Sequence, residues 1–313
     1  MATAPEAIDS STPVDDRSSN DASPLDVSSW SVVILSRGDR PTQLDRAIAS
    51  IRRQRHVDSE VVVVWNGAST ISTLQHIDRE LDLPDNLGIP AARNRGVAIA
   101  SNGLVLFLDD DAELVGSDLL HRVAALFGAD RGLGIVALRI VDEQGSSAQR
   151  HVPRVGGIGP ARPGPVTSFL GGAVAMRRDV FVGLGGYEPA FFYAMEETDL
   201  AWRAIDRGVG IWYAADLVVR HPRTEPTRHV TGVWNTSRNR AWIAHRSLPA
   251  PLAAIYSTVW LLIGLARGVR RPATVMPMVR GMVAGWRQPL GPRAPVGWRT
   301  VAHLTKLGRP PVI

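Results

Sequence analysis

The 313-residue chain contains no cysteine, which excludes disulfides and thiolate metal sites and is compatible with a reducing cytosol. It has one lysine beside 34 arginines, a bias that follows genome composition, so the position of the charges informs more than their type. Acidic residues stop at Glu225: residues 1–225 carry 22 basic and 30 acidic side chains, whereas residues 226–313 carry 13 basic and none acidic. A tail of one sign implies an anionic partner surface, either phospholipid headgroups or nucleic acid. A recognisable nucleic-acid module is also missing, and the arginines of the tail are interleaved with long aliphatic runs, which favours the membrane. The N-terminus lacks the basic start and apolar segment of a secretory signal, and residues 1–29, rich in Ser, Asp, Pro and Ala, read as a disordered leader. What is present, with 45% hydrophobic residues, suffices for one large α/β domain with an appendage or for two small domains.

The most informative stretch is LVLFLDDDAEL at residues 104–114. Its apolar run, 104–108, has the length of a strand buried on both faces of a parallel sheet. Ligands of open α/β sheets collect outside the carboxyl ends of such strands, where Asp109, Asp110 and Asp111 emerge. Adjacent carboxylates repel one another, and a hard divalent cation such as Mg²⁺ or Mn²⁺ answers that repulsion.

Before this stretch, residues 30–35 read as a strand, residues 42–54 as a helix with Thr42 as N-cap, and residues 60–65 as a second buried strand, making a βαβ unit. Residues 85–96 lead into a helix ending near Ala100, with Gly88 allowing close approach and Arg93 and Arg95 in the first turns. After it come a helix at 118–127, a strand at 134–140, a Pro/Gly-rich loop at 152–166 and a strand at 169–176 interrupted by Gly171 and Gly172. A short helix at 178–184 precedes one beginning at Glu196, whose first turn holds Glu196, Glu197 and Asp199. Residues 210–213 and 217–221 read as two short strands, the second ending at His221.

Together these segments resemble the inverting nucleotide-sugar glycosyltransferases of family 2 over residues 30–249. Five motifs carry the likeness in order: VVILS at 32–36, VVWNG at 63–67, NLG at 86–88 with ARNRG at 92–96, LDDD at 108–111, and GGY at 185–187 with EETDLAWR at 196–203. The resemblance implies an α/β, GT-A fold, Rossmann-like with a mostly parallel central sheet and flanking helices. It assigns the metal to Asp109 and Asp111, with His221 completing the shell, and turns Asp110 toward the ribose or sugar. Ser36, Arg40, Trp65, Asn66, Asn86, Gly88 and Arg93 are the further residues expected at the donor. Gly171, Gly172, Glu196, Asp199, Trp202 and Arg203 are expected at the acceptor, and Glu197 as the base that takes the proton of the acceptor hydroxyl. The chain departs from the family at Trp65, where an acid usually stands near the nucleobase; Trp65 could stack on a base but cannot accept the usual hydrogen bond. Of the rival readings, a sugar nucleotidyltransferase would show a Gly-rich phosphate loop after the first strand, which SRGDRP at 36–41 does not resemble. A catalytically silent scaffold need not keep Asp109, Asp111 and Glu197 together.

Residues 238–249 also resemble a segment of the family, a helix that flanks the acceptor site, and residues 250–313 read as a basic helical extension that associates with a membrane. Residues 247–266 are uncharged, just long enough for a span, but Pro249, Pro251, Ser257 and Thr258 favour a helix lying in the interface, with Tyr256 and Trp260 near the headgroups and Arg267, Arg270 and Arg271 beyond. The expectation is a peripheral enzyme at the cytoplasmic face of the membrane, meeting a lipid-linked or amphipathic acceptor.

Overall fold

Four consecutive valines, residues 61–64, are all fully buried, because β-branched side chains on a central strand pack against layers on both sheet faces. The computed structural model describes residues 28–68, 75–223 and 230–312. The valines lie on β2 (Asp58–Asn66), which runs parallel to β1 (Ser29–Ser36) and to β3 (Arg79–Leu83). Val61 and Val63 meet Leu44, Ile48 and Ile51 of α1 (Pro41–Arg52) on one face; Val62 and Val64 meet Ala92 and Val97 of α2 (Ile89–Ile99) on the other.

The chain continues through β4 (Leu104–Asp109), β5 (Glu113–Leu114), α3 (Leu119–Ala129), β6 (Leu133–Val141), β7 (Gly164–Pro165), β8 (Ala173–Arg177), α4 (Arg178–Gly183), α5 (Glu196–Asp206) and β9 (Gly210–Arg220). The strand order is β3-β2-β1-β4-β8-β6-β9-β5, with β7 on β9. β1 to β4 pair in parallel, β8 runs antiparallel between β4 and β6, and β9 is parallel to β6, so the sheet is mixed but six of its strands, β1, β2, β3, β4, β6 and β9, share one direction. Their carboxyl ends therefore lie on one edge, together with the start of β8.

Several boundaries differ from the sequence reading for physical reasons. β1 takes in Ser29, and the rest of the expected leader, except Ser28, lies outside the described residues. α1 starts at Pro41 with Arg40 at the N-cap position, because proline is pre-organised for the first helical turn, so Thr42 is not the cap. β3, RELDL, is an edge strand with only Leu83 buried and therefore lacks an apolar run. The two strands expected at 210–221 are one, β9, irregular where its pairing with β6 skips from Ala214 to Val218.

The C-terminal part folds as α6 (Val230–Ser247), α7 (Ala250–Gly268), α8 (Val275–Arg287) and α9 (Trp298–Lys306). α8 packs tightly on α6 through Gly281 and Gly285, where a Cβ would stand 2.4 Å from the Trp234 carbonyl oxygen and 2.5 Å from that of Arg238. Phe191 and Trp202 join Ile243, Leu248, Tyr256 and Leu304 in a third core that ties these helices to α5. Tyr256 is thus a core residue, edge-on to Trp202 with centroids 6.2 Å apart, and not a headgroup anchor.

Candidate active site

At the carboxyl edge the buried run of β4 gives way to its acids. The Ala112 amide donates to the Asp109 carbonyl at 3.1 Å, closing a tight turn in which Asp109 and Asp111 approach each other. His221 follows β9, its own amide bonded to the Val141 carbonyl at 2.8 Å. Its Nε2 lies 3.1 Å from Asp111 Oδ1 and 3.7 Å from Asp109 Oδ2, and one donor atom from each of the three residues falls within 4.8 Å of the other two. The imidazole Nδ1 donates to the Pro222 carbonyl at 2.8 Å, which aims Nε2 at the carboxylates. A nitrogen facing two acceptor oxygens requires a proton or a metal ion between them. Without a metal the proton fills that role: burial disfavours the charged imidazole, but the hydrogen bond and charge of Asp111, with Asp109 behind, raise it to about 9. The same pair holds Asp111 below its ordinary value despite burial. Two carboxylates and an oriented imidazole fit Mg²⁺ or Mn²⁺.

Asp110 turns the other way. It is buried and accepts from Ser36 Oγ at 2.8 Å, and burial lifts it to about 6 despite that bond. Arg40, half exposed, pairs with Asp111 and reaches Asp110 at 3.5 Å. Arg93 is almost fully buried: its Nη2 donates to Asp109 Oδ1 at 3.1 Å and its guanidinium lies 5.7 Å from the Phe107 ring centroid.

Gly171 and Gly172 precede β8 and face these groups. A Cβ on Gly172 would stand 2.0 Å from Asp109 Oδ2, and one on Gly171 would stand 2.0 Å from Arg93 Nη1. The Asp109 amide donates to the Gly172 carbonyl at 3.1 Å, and the Gly171 amide donates to Glu197 Oε1 at 3.2 Å. Two successive glycines therefore connect the aspartates to Glu197. The neighbouring Glu196 is buried with no partner for Oε2, and burial, followed by the charge of Glu197, raises it to about 8. The two carboxyls thus differ in environment: Glu196 is enclosed, which favours its protonated form, whereas Glu197 bonds the Gly171 amide.

Other expected site residues have structural partners. Trp65 is buried in the core and donates from Nε1 to Glu80 Oε2 at 2.9 Å, so it offers no face to a base. Asn66 and Asn86 bond each other at 3.1 Å, and Asn66 Oδ1 accepts from the Leu87 amide at 2.9 Å, shaping the loop before α2. Gly88, at φ 80°, lies under the turn after Phe191; a Cβ there would be 2.5 Å from the Phe192 carbonyl oxygen. Asp199 is enclosed by Arg203, with bonds of 2.8 and 2.6 Å, and Arg203 also donates to the Leu184 and Gly186 carbonyls. Trp202 packs in the third core. These three brace α5 and are not brought to the crevice, because they face its buried side.

Two residues escaped the sequence reading. Asn239, fully buried on α6, donates to the carbonyls of Phe191, Tyr193 and Ala194 at 3.0, 2.9 and 2.8 Å. It thereby holds a turn in which Phe192, Ala194 and Met195 all have positive φ, immediately before Glu196. An asparagine inside a helix, where it is a poor helix former, was the available signal. His151 stands edge-on to His221 at 5.9 Å, and burial with the nearby charges of Arg150 and His221 lowers it to about 4. The two histidines line a cleft of about 200 Å³ with Asp142 and Arg223. The contact joins positions far apart in the chain, so no local pattern reports it.

Residues 31–184 match the family model Glycosyl transferase family 2. Over 266 residues the chain is 24% identical to a pre-mycofactocin glycosyltransferase of Mycobacterium tuberculosis (strain CDC 1551 / Oshkosh), covering 78% of this chain and 54% of the relative, so it spans about half the length of that protein. Among solved structures, GalNAc-T7 with UDP, GalNAc and Mn²⁺ aligns at a TM-score of 0.60 with 15% identity, over 83% of this chain and 55% of the other. The mannosyltransferase PcManGT from Pyrobaculum calidifontis, in complex with GDP-Man and Mn²⁺, aligns at 0.54 with 17% identity, over 83% and 87%. At such identities these structures establish the shared GT-A fold.

Proposed function

We propose that this chain, a family 2 glycosyltransferase by the domain in residues 31–184, moves a sugar from a nucleotide-diphosphate donor to an acceptor hydroxyl with inversion, using Glu197 as general base. One observation carries the reading: the Gly171–Gly172 step touches Asp109 on one side and Glu197 on the other, with the Arg93 guanidinium beside both Gly171 and Asp109. A diphosphate and an acceptor hydroxyl held on either side of that step would meet at the anomeric carbon.

Asp109, Asp111 and His221 would hold the divalent cation, which when bound neutralises charge on the diphosphate. Arg40 is free to swing from Asp111 to a phosphate, since it is half exposed and its partner would then be engaged elsewhere. Asp110, fixed by Ser36, is suited to a ribose or sugar hydroxyl. Glu197 accepts the acceptor's proton as the new bond to the anomeric carbon forms and the bond to the diphosphate breaks. The Gly171 amide steers one of its oxygens. A single displacement inverts the anomeric centre.

An amphipathic acceptor suits the surroundings. Phe192 and Tyr193 are exposed just before the glutamate pair, and α6 and α8 enclose a cleft of about 480 Å³ lined by Trp234, Met276 and Arg280. Glu197→Gln tests the reading: turnover should collapse while nucleotide-sugar binding persists. Unchanged turnover would remove Glu197 as the base, and absence of any donor binding in the wild-type chain would remove the transferase reading.

A further inference from the structure

We propose that the outer face of α7, with the arginines at its C-terminal end, docks on an anionic lipid bilayer, so that the domain lies on the membrane as a peripheral protein. α7 is apolar on both sides. Its inner face belongs to the third core through Ala253 and Tyr256, and Trp260 lies under Arg240, whose guanidinium is 3.6 Å from the ring centroid. Its outer face presents Ile255, Thr258, Leu262, Leu265 and Val269, spaced by three and four residues and therefore on one stripe. Leu262 is 59% exposed and Val269 85%. The helix has a mean hydropathy of 1.4 with only 11% of that window buried, a combination unsuited to a solvent-facing helix. Because the inner face is part of the domain's core, the helix lies along a surface and does not cross it.

Charge identifies what covers the stripe. Arg267, Arg270 and Arg271 are exposed where α7 ends, and α8, which meets α7 at Gly264 against Met278 and at Gly268 against Val275, adds exposed Met276, Arg280 and Arg287. No acidic residue follows Glu225, so this region carries no carboxylate of its own to pair with them. An apolar stripe bordered by cations that have no ion pair among the described residues complements acyl chains beneath anionic headgroups. A second copy of the chain would bring the same positive charge to the contact and be repelled.

The test is vesicle flotation of the full chain with phosphatidylcholine vesicles, alone or with about one-third phosphatidylglycerol, in low and high salt. Binding should require phosphatidylglycerol and weaken with salt. Replacing Arg267, Arg270 and Arg271 together by glutamine should weaken it on the order of a hundredfold, at roughly fivefold per arginine. Leu262→Asp with Val269→Asp should abolish binding while leaving the circular dichroism spectrum and nucleotide-sugar binding unchanged, since both side chains are exposed. Equal binding to neutral vesicles, no binding at all, or full binding by the aspartate variant would overturn the proposal. So would a sedimenting dimer that the aspartate variant dissociates. Loss of donor binding in every variant would instead count against the transferase reading.

Discussion

The strand-end crevice and the C-terminal helices handle charge in opposite ways. In the crevice each charge faces its opposite: Asp111 faces His221 and Arg40, and Asp109 faces Arg93. In the C-terminal part, which has no acidic side chain, Arg246 reaches back to Glu188 at 2.8 Å. Other arginines there turn to aromatic faces and carbonyls: Arg238 lies 4.0 Å from the Trp242 ring centroid, and Arg293, between α8 and α9, donates to the His245 and Leu248 carbonyls. The first arrangement tunes protonation states and is suited to chemistry. The second leaves cations over for an external surface.

The sharpest way to break this comparison is to neutralise one crevice carboxylate. Glu197→Gln should lower kcat by about 10²–10⁴, the range for losing a general base, with donor affinity retained. Next is the enclosed partner. Burial holds Glu196 up at about 8, so its proton favours the folded state below the unfolded value near 4.5, and that contribution is lost as pH rises through about 8. Glu196→Gln should therefore be more stable than wild type at pH 8 by roughly 2–4 kcal/mol, the gap closing toward pH 4.5 in urea titrations. Equal pH profiles would mean that Glu196 is not held neutral.

Metal binding probes the other end of the crevice. Mn²⁺ at a hundredfold excess over its Kd should stabilise the chain by about 2.7 kcal/mol in thermal melts. Because His221 keeps its proton up to about 9, that affinity should rise with pH toward this value. Asp111→Asn should abolish both effects. Asn239→Ala frees the positive-φ turn and should cost about 1–3 kcal/mol. If Asn239 positions the glutamates, kcat should also fall at temperatures where the variant is folded, with donor affinity unchanged; a stability loss alone would make its role structural. The smallest effect belongs to the helices: Trp260→Leu removes the ring under Arg240 and should cost about 0.5–2 kcal/mol, unaffected by metal.

How far the sequence was legible follows the same division. The buried strands were readable because 61–64 and 104–108 are unbroken apolar runs, and Asp109 and Asp111 because they directly follow such a run; His221 was joined to them only through the family resemblance. What was hidden depended on side-chain direction. Trp65 occupies a donor-site position in the motif yet points into the core, and Asp199 and Arg203 share a helix turn that faces inward. Tyr256 and Leu262 belong to one apolar segment, and only packing distinguishes the core residue from the exposed one. Edge strand β3 has no apolar signature, and the reach of Asn239 across to the turn before Glu196 is a long-range bond that no local pattern encodes.

The central claim is that Asp109, Asp111 and His221 serve the donor while Glu197 serves the acceptor across a glycine step. Calorimetric titration with UDP-, GDP- and dTDP-sugars, with and without Mn²⁺, tests it on the wild-type chain, Asp111→Asn and Glu197→Gln. The account predicts that one nucleotide binds the wild-type and Glu197→Gln chains alike, only with Mn²⁺, and fails to bind Asp111→Asn. Binding that ignores the metal, or that Glu197→Gln abolishes, would contradict it.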